Sequence, residues 1–114
     1  MAAAAAAADL ADLNHYLNIC GINAAVKRNA FISGQGLSSI QDFASLTTKD
    51  ARHIVKMHNQ STQANHKLGF LVSRNIEALI YYVCDHMHQQ LPLVAANWTV
   101  DSKLHAINHT GDAD

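Results

Sequence analysis

The chain has 114 residues, of which 49% are hydrophobic and 15% charged, so it can bury one modest core and does not fit the composition of a disordered protein. One proline and five glycines leave few obligatory breaks, which favours helices over many short strands. No apolar run reaches the roughly 18 residues that a membrane span needs, and the N-terminus lacks the basic stretch of a secretory signal. We therefore expect no membrane partner and an intracellular location, cytoplasmic or nuclear.

The first predicted helix begins within a low-complexity, alanine-rich N-terminus, residues 1–9, which either frays or extends that helix. Apolar residues at spacings of three and four then form one stripe, and Gly21 ends the helix. A second helix over 24–33 is predicted from an Asn23 cap to a stop at Gly34. The stripe of the first helix is Leu10, Leu13, Tyr16, Leu17 and Cys20.

Two shorter helices follow a glycine-containing loop. Ser38 or Ser39 is expected to start the third, which runs to Leu46. Thr47 lies three residues before Asp50, a pair similar to a capping box, and this pair predicts the start of a fourth helix. Its apolar stripe consists of Ala51, Ile54, Val55 and either Met57 or His58.

The fifth helix has the strongest pattern. Between about 66 and 91, apolar residues recur at threes and fours until Pro92 stops the helix. Phe70, Tyr81 and Tyr82 lie off this stripe, so the helix is apolar on most sides. It is therefore either central in the core or shares a face with a partner, and these three residues are a candidate hydrophobic interface in a homodimer of fifth helices.

A connector and a short helix complete the predicted domain. Residues 93–98 form the connector, and Thr99 caps a last helix whose inner residues are Val100, Leu104 and Ile107. The tail, 109–114, is polar and expected to be disordered. The whole pattern predicts one all-α domain over 10–108, a compact bundle of five to six helices.

Residues for catalysis or metal binding do not form a recognisable motif. Eight histidines are scattered along the chain, and the spacing of Cys84 and His88 makes them weak candidates for half of a metal site. Glu77 is the one glutamate, and no nucleophile elbow or phosphate-binding loop occurs. We therefore predict a protein without catalytic residues, metal, cofactor or small-molecule substrate.

Charge is distributed unevenly although the net charge is −1. Residues 23–74 contain seven basic and two acidic side chains, whereas both flanks are acidic. Such a stretch is either an ordinary solvated face or a surface that binds phosphate groups or an acidic protein. The candidate protein- or nucleic-acid-binding residues are Lys27, Arg28, Lys49, Arg52 and Lys56.

The run GLSSIQDFASLTTKD, residues 36–50, resembles the middle of SAM-like domains, the sterile alpha motif proteins and their helix-hairpin-helix relatives. It has the Gly-Leu turn, the short helix with Asp-Phe and the Leu-Thr-x-x-Asp step, and the similarity extends over residues 10–90. The helix beginning RNIEAL, 74–79, is similar to helical segments in polyproteins of algal mobile elements and viruses. The SAM-like resemblance implies a helical interaction domain, since such domains mostly bind proteins, often themselves, and some bind nucleic acid.

Two functions are therefore expected. The first is a non-enzymatic protein–protein interaction or self-assembly module, in which the basic stretch meets an acidic surface such as the region of Asp85 and Asp101 in a second copy. The alternative is a nucleic-acid-binding module that uses the basic stretch, residues 27–74. A longer fifth helix and an added C-terminal segment distinguish the chain from SAM-like domains.

Overall fold

The computed structural model describes the backbone of residues 2–61 and 66–112 and the side chains of 9–61 and 66–108. These residues form helices and no strand, which confirms the all-α prediction. The elements are α1 (Ala2–Ile19), α2 (Ala25–Gln35), a 3₁₀ helix (Ile40–Ser45), α3 (Asp50–Ser61), α4 (Phe70–His88), a short 3₁₀ helix (Ala95–Asn97) and α5 (Val100–Asp112).

The centre of the bundle is α4, the predicted fifth helix. It contacts α3, α5 and the Ile40–Ser45 helix, and its middle turns are shielded on all sides. The sequence allowed this helix to be central in the core or to share a face with a partner. Its middle third is central in the core. Its fully buried apolar residues are Ile76, Ala78, Leu79, Ile80 and Val83.

Both ends of α4 differ from the predicted range of about 66–91. At its start, Asn59 donates to the Leu68 carbonyl at 2.9 Å and accepts from the Leu68 N–H at 2.8 Å, so Leu68 is bonded to α3 rather than to a helical turn. At its end, Gln90 adopts φ 60°, and the Leu91 N–H donates to the His86 carbonyl at 2.8 Å. This is a Schellman motif, which ends the helix before Pro92 is reached.

The end of α1 is bonded to the middle of α4. The Asn75 side chain donates to the Cys20 carbonyl at 2.7 Å, and Gly21 has φ 105°, a left-handed value that favours glycine. A Cβ at Gly21 would contact Asn75 and Val72. The predicted stop at Gly21 is confirmed. At the other end, helix from Ala2 onward shows that the alanine run extends α1.

The predicted caps of the third and fourth helices are present. The Asp42 carboxylate accepts from the backbone N–H groups of Ser38 at 2.7 Å and Ser39 at 3.1 Å, and these bonds lower the pKa of Asp42. Asp50 accepts from the Thr47 N–H at 2.8 Å before α3. His58 is the inner residue of α3, since it is buried whereas Met57 is exposed.

The boundaries of α2 were predicted wrongly. Asn23 does not cap it, because its amide donates back to Asn18 and the N-cap is Ala24. The helix also continues through Gly34. It ends at Gly36, which has φ 68° and whose N–H bonds to the carbonyl groups of the last turn.

Trp98 was predicted to be part of a connector, but it is fully buried. Its indole N–H donates to the Tyr16 carbonyl at 3.2 Å, and its own carbonyl accepts from His15 at 2.9 Å. Its ring lies 4.7 Å from that of Tyr82, measured between centroids. The segment after α4 is therefore attached to α1 and α4, and this attachment places α5 beside α4.

The last helix exists, but only one of its three predicted inner residues faces the core. Ile107 is partly buried and packs against the core, whereas Val100 and Leu104 are about half exposed. Within 100–108, the buried residue of α5 is Ala106. The helix also continues to Asp112, so residues 109–112 are helical rather than disordered, and 113–114 lie outside the described residues. This tail contains no proline, and helical bonding can therefore continue through it.

Gln90 has a positive φ, a backbone conformation that is sterically unfavourable for a non-glycine residue. We expect Gln90→Gly to raise the free energy of unfolding by about 0.5–1 kcal/mol in urea denaturation. The matched control is Gln89→Gly, because Gln89 has φ −83° and gains nothing from glycine. A destabilised Gln90→Gly variant would contradict the C-terminal cap described here.

Candidate functional site

A cleft of about 590 Å³ lies where α3 passes the start of α4. Arg52 and Lys56 reach it from α3, and Lys67 reaches it from the segment before α4. All three are exposed, and no acidic side chain of the described ranges lines the cleft. We call it the basic cleft. Its apolar wall is formed by Val55, Leu68 and Phe70.

Phe70 is the most unusual residue of the basic cleft. It and Leu71 are each 73% exposed, more than any other large apolar side chain among the described residues. They occupy the first turn of α4, where the Ser73 hydroxyl donates to the Phe70 carbonyl at 2.7 Å. Large exposed apolar side chains beside polar ones are typical of binding surfaces. The geometry suits a ligand that is acidic at its edge and apolar at its centre.

The remaining predicted basic residues are divided between different places. Lys49 lines a neighbouring depression of about 410 Å³ together with Arg52 and Glu77, so the basic surface continues past the cleft. Lys27 and Arg28 lie on α2 and do not line either cavity. Arg28 is bonded to the turn between α1 and α2. It donates to the Asn14 side chain at 2.9 Å and to the carbonyl groups of Ile22 and Asn23 at 3.0 and 2.7 Å.

A second cleft, of about 460 Å³, lies between the last turns of α4 and the first turns of α5. Asp85 and Asp101 supply its carboxylates, and we call it the acidic cleft. Phe70 and Asp85 are 15 residues apart on one helix, so the two clefts are separated by about 22 Å along α4. The other principal lining residues of the acidic cleft are Tyr81, Tyr82, His86 and His105.

The three residues of the predicted hydrophobic interface do not lie together. Phe70 lines the basic cleft, whereas Tyr81 and Tyr82 line the acidic cleft. The Tyr82 ring lies 4.1 Å from His86 and 4.7 Å from Trp98, so it packs within the bundle, and burial raises its pKa. These placements divide the proposed face of a fifth-helix homodimer between two clefts.

The two cysteine thiols lie against backbone carbonyl groups of neighbouring elements. Burial raises the pKa of the Cys20 thiol to about 12, and it also raises that of Cys84, whose sulfur lies 3.6 Å from the Leu46 carbonyl. Both thiols are therefore poor nucleophiles and poor metal ligands at neutral pH. His88 is exposed, and no three His, Cys, Asp or Glu side chains of the described ranges are grouped so that they could hold a metal.

Comparison with protein families, with curated proteins and with solved structures found no match to this chain. No helix in the described part of the chain is both long and apolar enough to cross a membrane.

Sequence reasoning missed two contributors to these surfaces. Lys67 was counted in the basic stretch but was not assigned to the site, because its place depends on the bonds between Asn59 and Leu68. Trp98 was assigned to a connector. The sequence did contain a signal for its burial, because the one tryptophan of the chain, at the end of a short connector, is a candidate anchor.

Proposed function

We propose that this protein is a non-enzymatic protein–protein interaction or self-assembly module whose working surface is the basic cleft. The observation that carries the proposal is the grouping of Arg52, Lys56 and Lys67 around an exposed Phe70. Protein interfaces commonly combine a central aromatic residue with a charged rim, and arginine is enriched in them. The resemblance to SAM-like domains, which mostly bind proteins, supports the same class of function.

A second copy of the chain offers a suitable partner surface. Its acidic cleft carries two carboxylates and tyrosine side chains, which complement three cations and an exposed apolar pair. Because the two clefts are different surfaces at opposite ends of α4, each copy would bind one neighbour at each end. Such heterologous contacts build open chains or rings.

Self-assembly through these clefts requires salt-sensitive association. In about 20 mM salt we expect the average molar mass from light scattering to rise with protein concentration, and in about 500 mM salt to fall toward that of the monomer, since salt screens exposed charges. Arg52→Ala/Lys56→Ala should remain monomeric in both. Lys27→Ala removes a cation outside the cleft and serves as the control. A monomer at every concentration and ionic strength would overturn self-assembly.

Nucleic-acid binding is the second candidate, and one observation favours it. The exposed Phe70 ring lies in a cleft with three cations, an arrangement that suits stacking on an unpaired base beside its phosphate. Against this, Phe31 and Phe43 are fully buried, and Arg28 and Arg74 are bonded within the fold. The basic stretch therefore offers one stacking residue and fewer available cations than its composition suggested.

Fluorescence anisotropy with random single-stranded DNA and RNA separates the two candidates. If the basic cleft binds nucleic acid, affinity should fall steeply between about 50 and 200 mM salt, and Lys49→Ala/Arg52→Ala/Lys56→Ala should abolish it. Lys27→Ala should bind like the unaltered chain. No measurable binding at about 50 mM salt would reject this candidate.

A further inference from the structure

We infer that the self-assembly contact is anchored by Phe70, which inserts into the acidic cleft of a second copy, with Leu71 packing at its edge. This inference rests on the proposed function and adds the anchor residue and its receptor. The starting observation is that two adjacent apolar side chains, each 73% exposed, occupy the first turn of a long helix whose middle is the core of the protein.

Phe70 is held ready for insertion. It is the first residue of α4, its carbonyl accepts from the Ser73 hydroxyl, and the nearby Leu68 is buried and bonded to Asn59. The ring therefore projects from an ordered backbone. Binding then orders the side-chain torsions of Phe70 but no further backbone, which favours it as an anchor.

The acidic cleft suits an aromatic side chain in size and chemistry. Its volume of about 460 Å³ exceeds that of one phenylalanine ring, and Tyr81, Tyr82 and Ala106 form apolar parts of its lining. Asp85 and Asp101 lie at the same cleft. When Phe70 enters, the cations that surround it in the basic cleft approach these two carboxylates. The apolar centres of the basic and acidic clefts then face each other, and so do their oppositely charged rims.

This inference separates the roles of the two kinds of residue. The charges steer the encounter and give it salt sensitivity, whereas burial of Phe70 gives the contact its lifetime. Charge neutralisation should therefore mainly slow association, and truncation of Phe70 should mainly speed dissociation. Exposed apolar residues elsewhere, such as Val26 on α2, should have no comparable effect.

The first test compares self-association of Phe70→Ala with that of Val26→Ala at about 20 mM salt, by light scattering and by dissociation kinetics. Phe70→Ala should weaken association at least about tenfold, mainly through faster dissociation, while Val26→Ala leaves it unchanged. Both residues are exposed in the monomer, so neither change removes a core contact. Equal association of the two variants would overturn the anchor.

The second test identifies the receptor by cross-linking in a Cys84→Ser background. Mild oxidation of a mixture of Leu71→Cys and His105→Cys copies should give a mixed disulfide dimer, because Phe70 stays in place, Leu71 lies at the edge of the contact and His105 lines the acidic cleft. The control mixture of Val26→Cys with His105→Cys should give only background. If the unaltered chain never associates, self-assembly itself fails. If it associates but the two mixtures cross-link equally, the anchor alone fails.

Discussion

Burial of Trp98 between α1 and α4 is the interaction that holds the C-terminal segment on the bundle and so supports the acidic cleft. The indole bonds to the Tyr16 carbonyl and packs on Tyr82, so the segment after Pro92 is attached to both helices. Replacing a buried tryptophan by alanine typically costs about 3–5 kcal/mol. The attachment brings Asp101 on α5 to the same cleft as Asp85 on α4. Trp98 therefore helps to position the α5 side of the acidic cleft.

The basic cleft depends on a different long-range contact. Both polar groups of the Asn59 side chain bond to the backbone of Leu68, which fixes the segment that carries Lys67 and orients the start of α4. The two clefts are thus formed at opposite ends of one buried helix. A rigid separation between unlike surfaces favours growth into chains over a closed symmetric dimer.

Much of the fold follows from the sequence because local rules decide it. The apolar spacing of α4, the Asp42 and Asp50 caps and the stop at Gly21 depend on neighbouring residues, and all are present. The start of α4 depends on the bonds from Asn59 to Leu68, nine residues apart, and its end on a left-handed turn at Gln90, a residue type that does not signal one. The position of Trp98 depends on Tyr16, 82 residues away, which no local pattern reveals. The orientation of α5 was predicted wrongly because the apolar spacing of Val100 and Leu104 also suits an exposed face.

The candidate site was predictable only in part. Composition singled out the basic stretch, and Arg52 and Lys56 line one cleft. Composition does not distinguish a free cation from one such as Arg28, whose guanidinium bonds backbone carbonyl groups. Similarly, the sequence does not distinguish Phe70, Tyr81 and Tyr82, because all three lie off the apolar stripe of the same helix. Tertiary packing then placed them in different clefts, with Phe70 outside and Tyr82 against Trp98.

Mixing two complementary variants tests the central claim most directly. Arg52→Ala/Lys56→Ala/Phe70→Ala retains only the acidic cleft, and Asp85→Asn/Asp101→Asn retains only the basic cleft. Each variant alone should sediment as a monomer in analytical ultracentrifugation at low salt. An equimolar mixture should give a one-to-one dimer that grows no further, since one intact contact remains. A mixture that stays monomeric, or a single variant that still forms chains, would contradict the account.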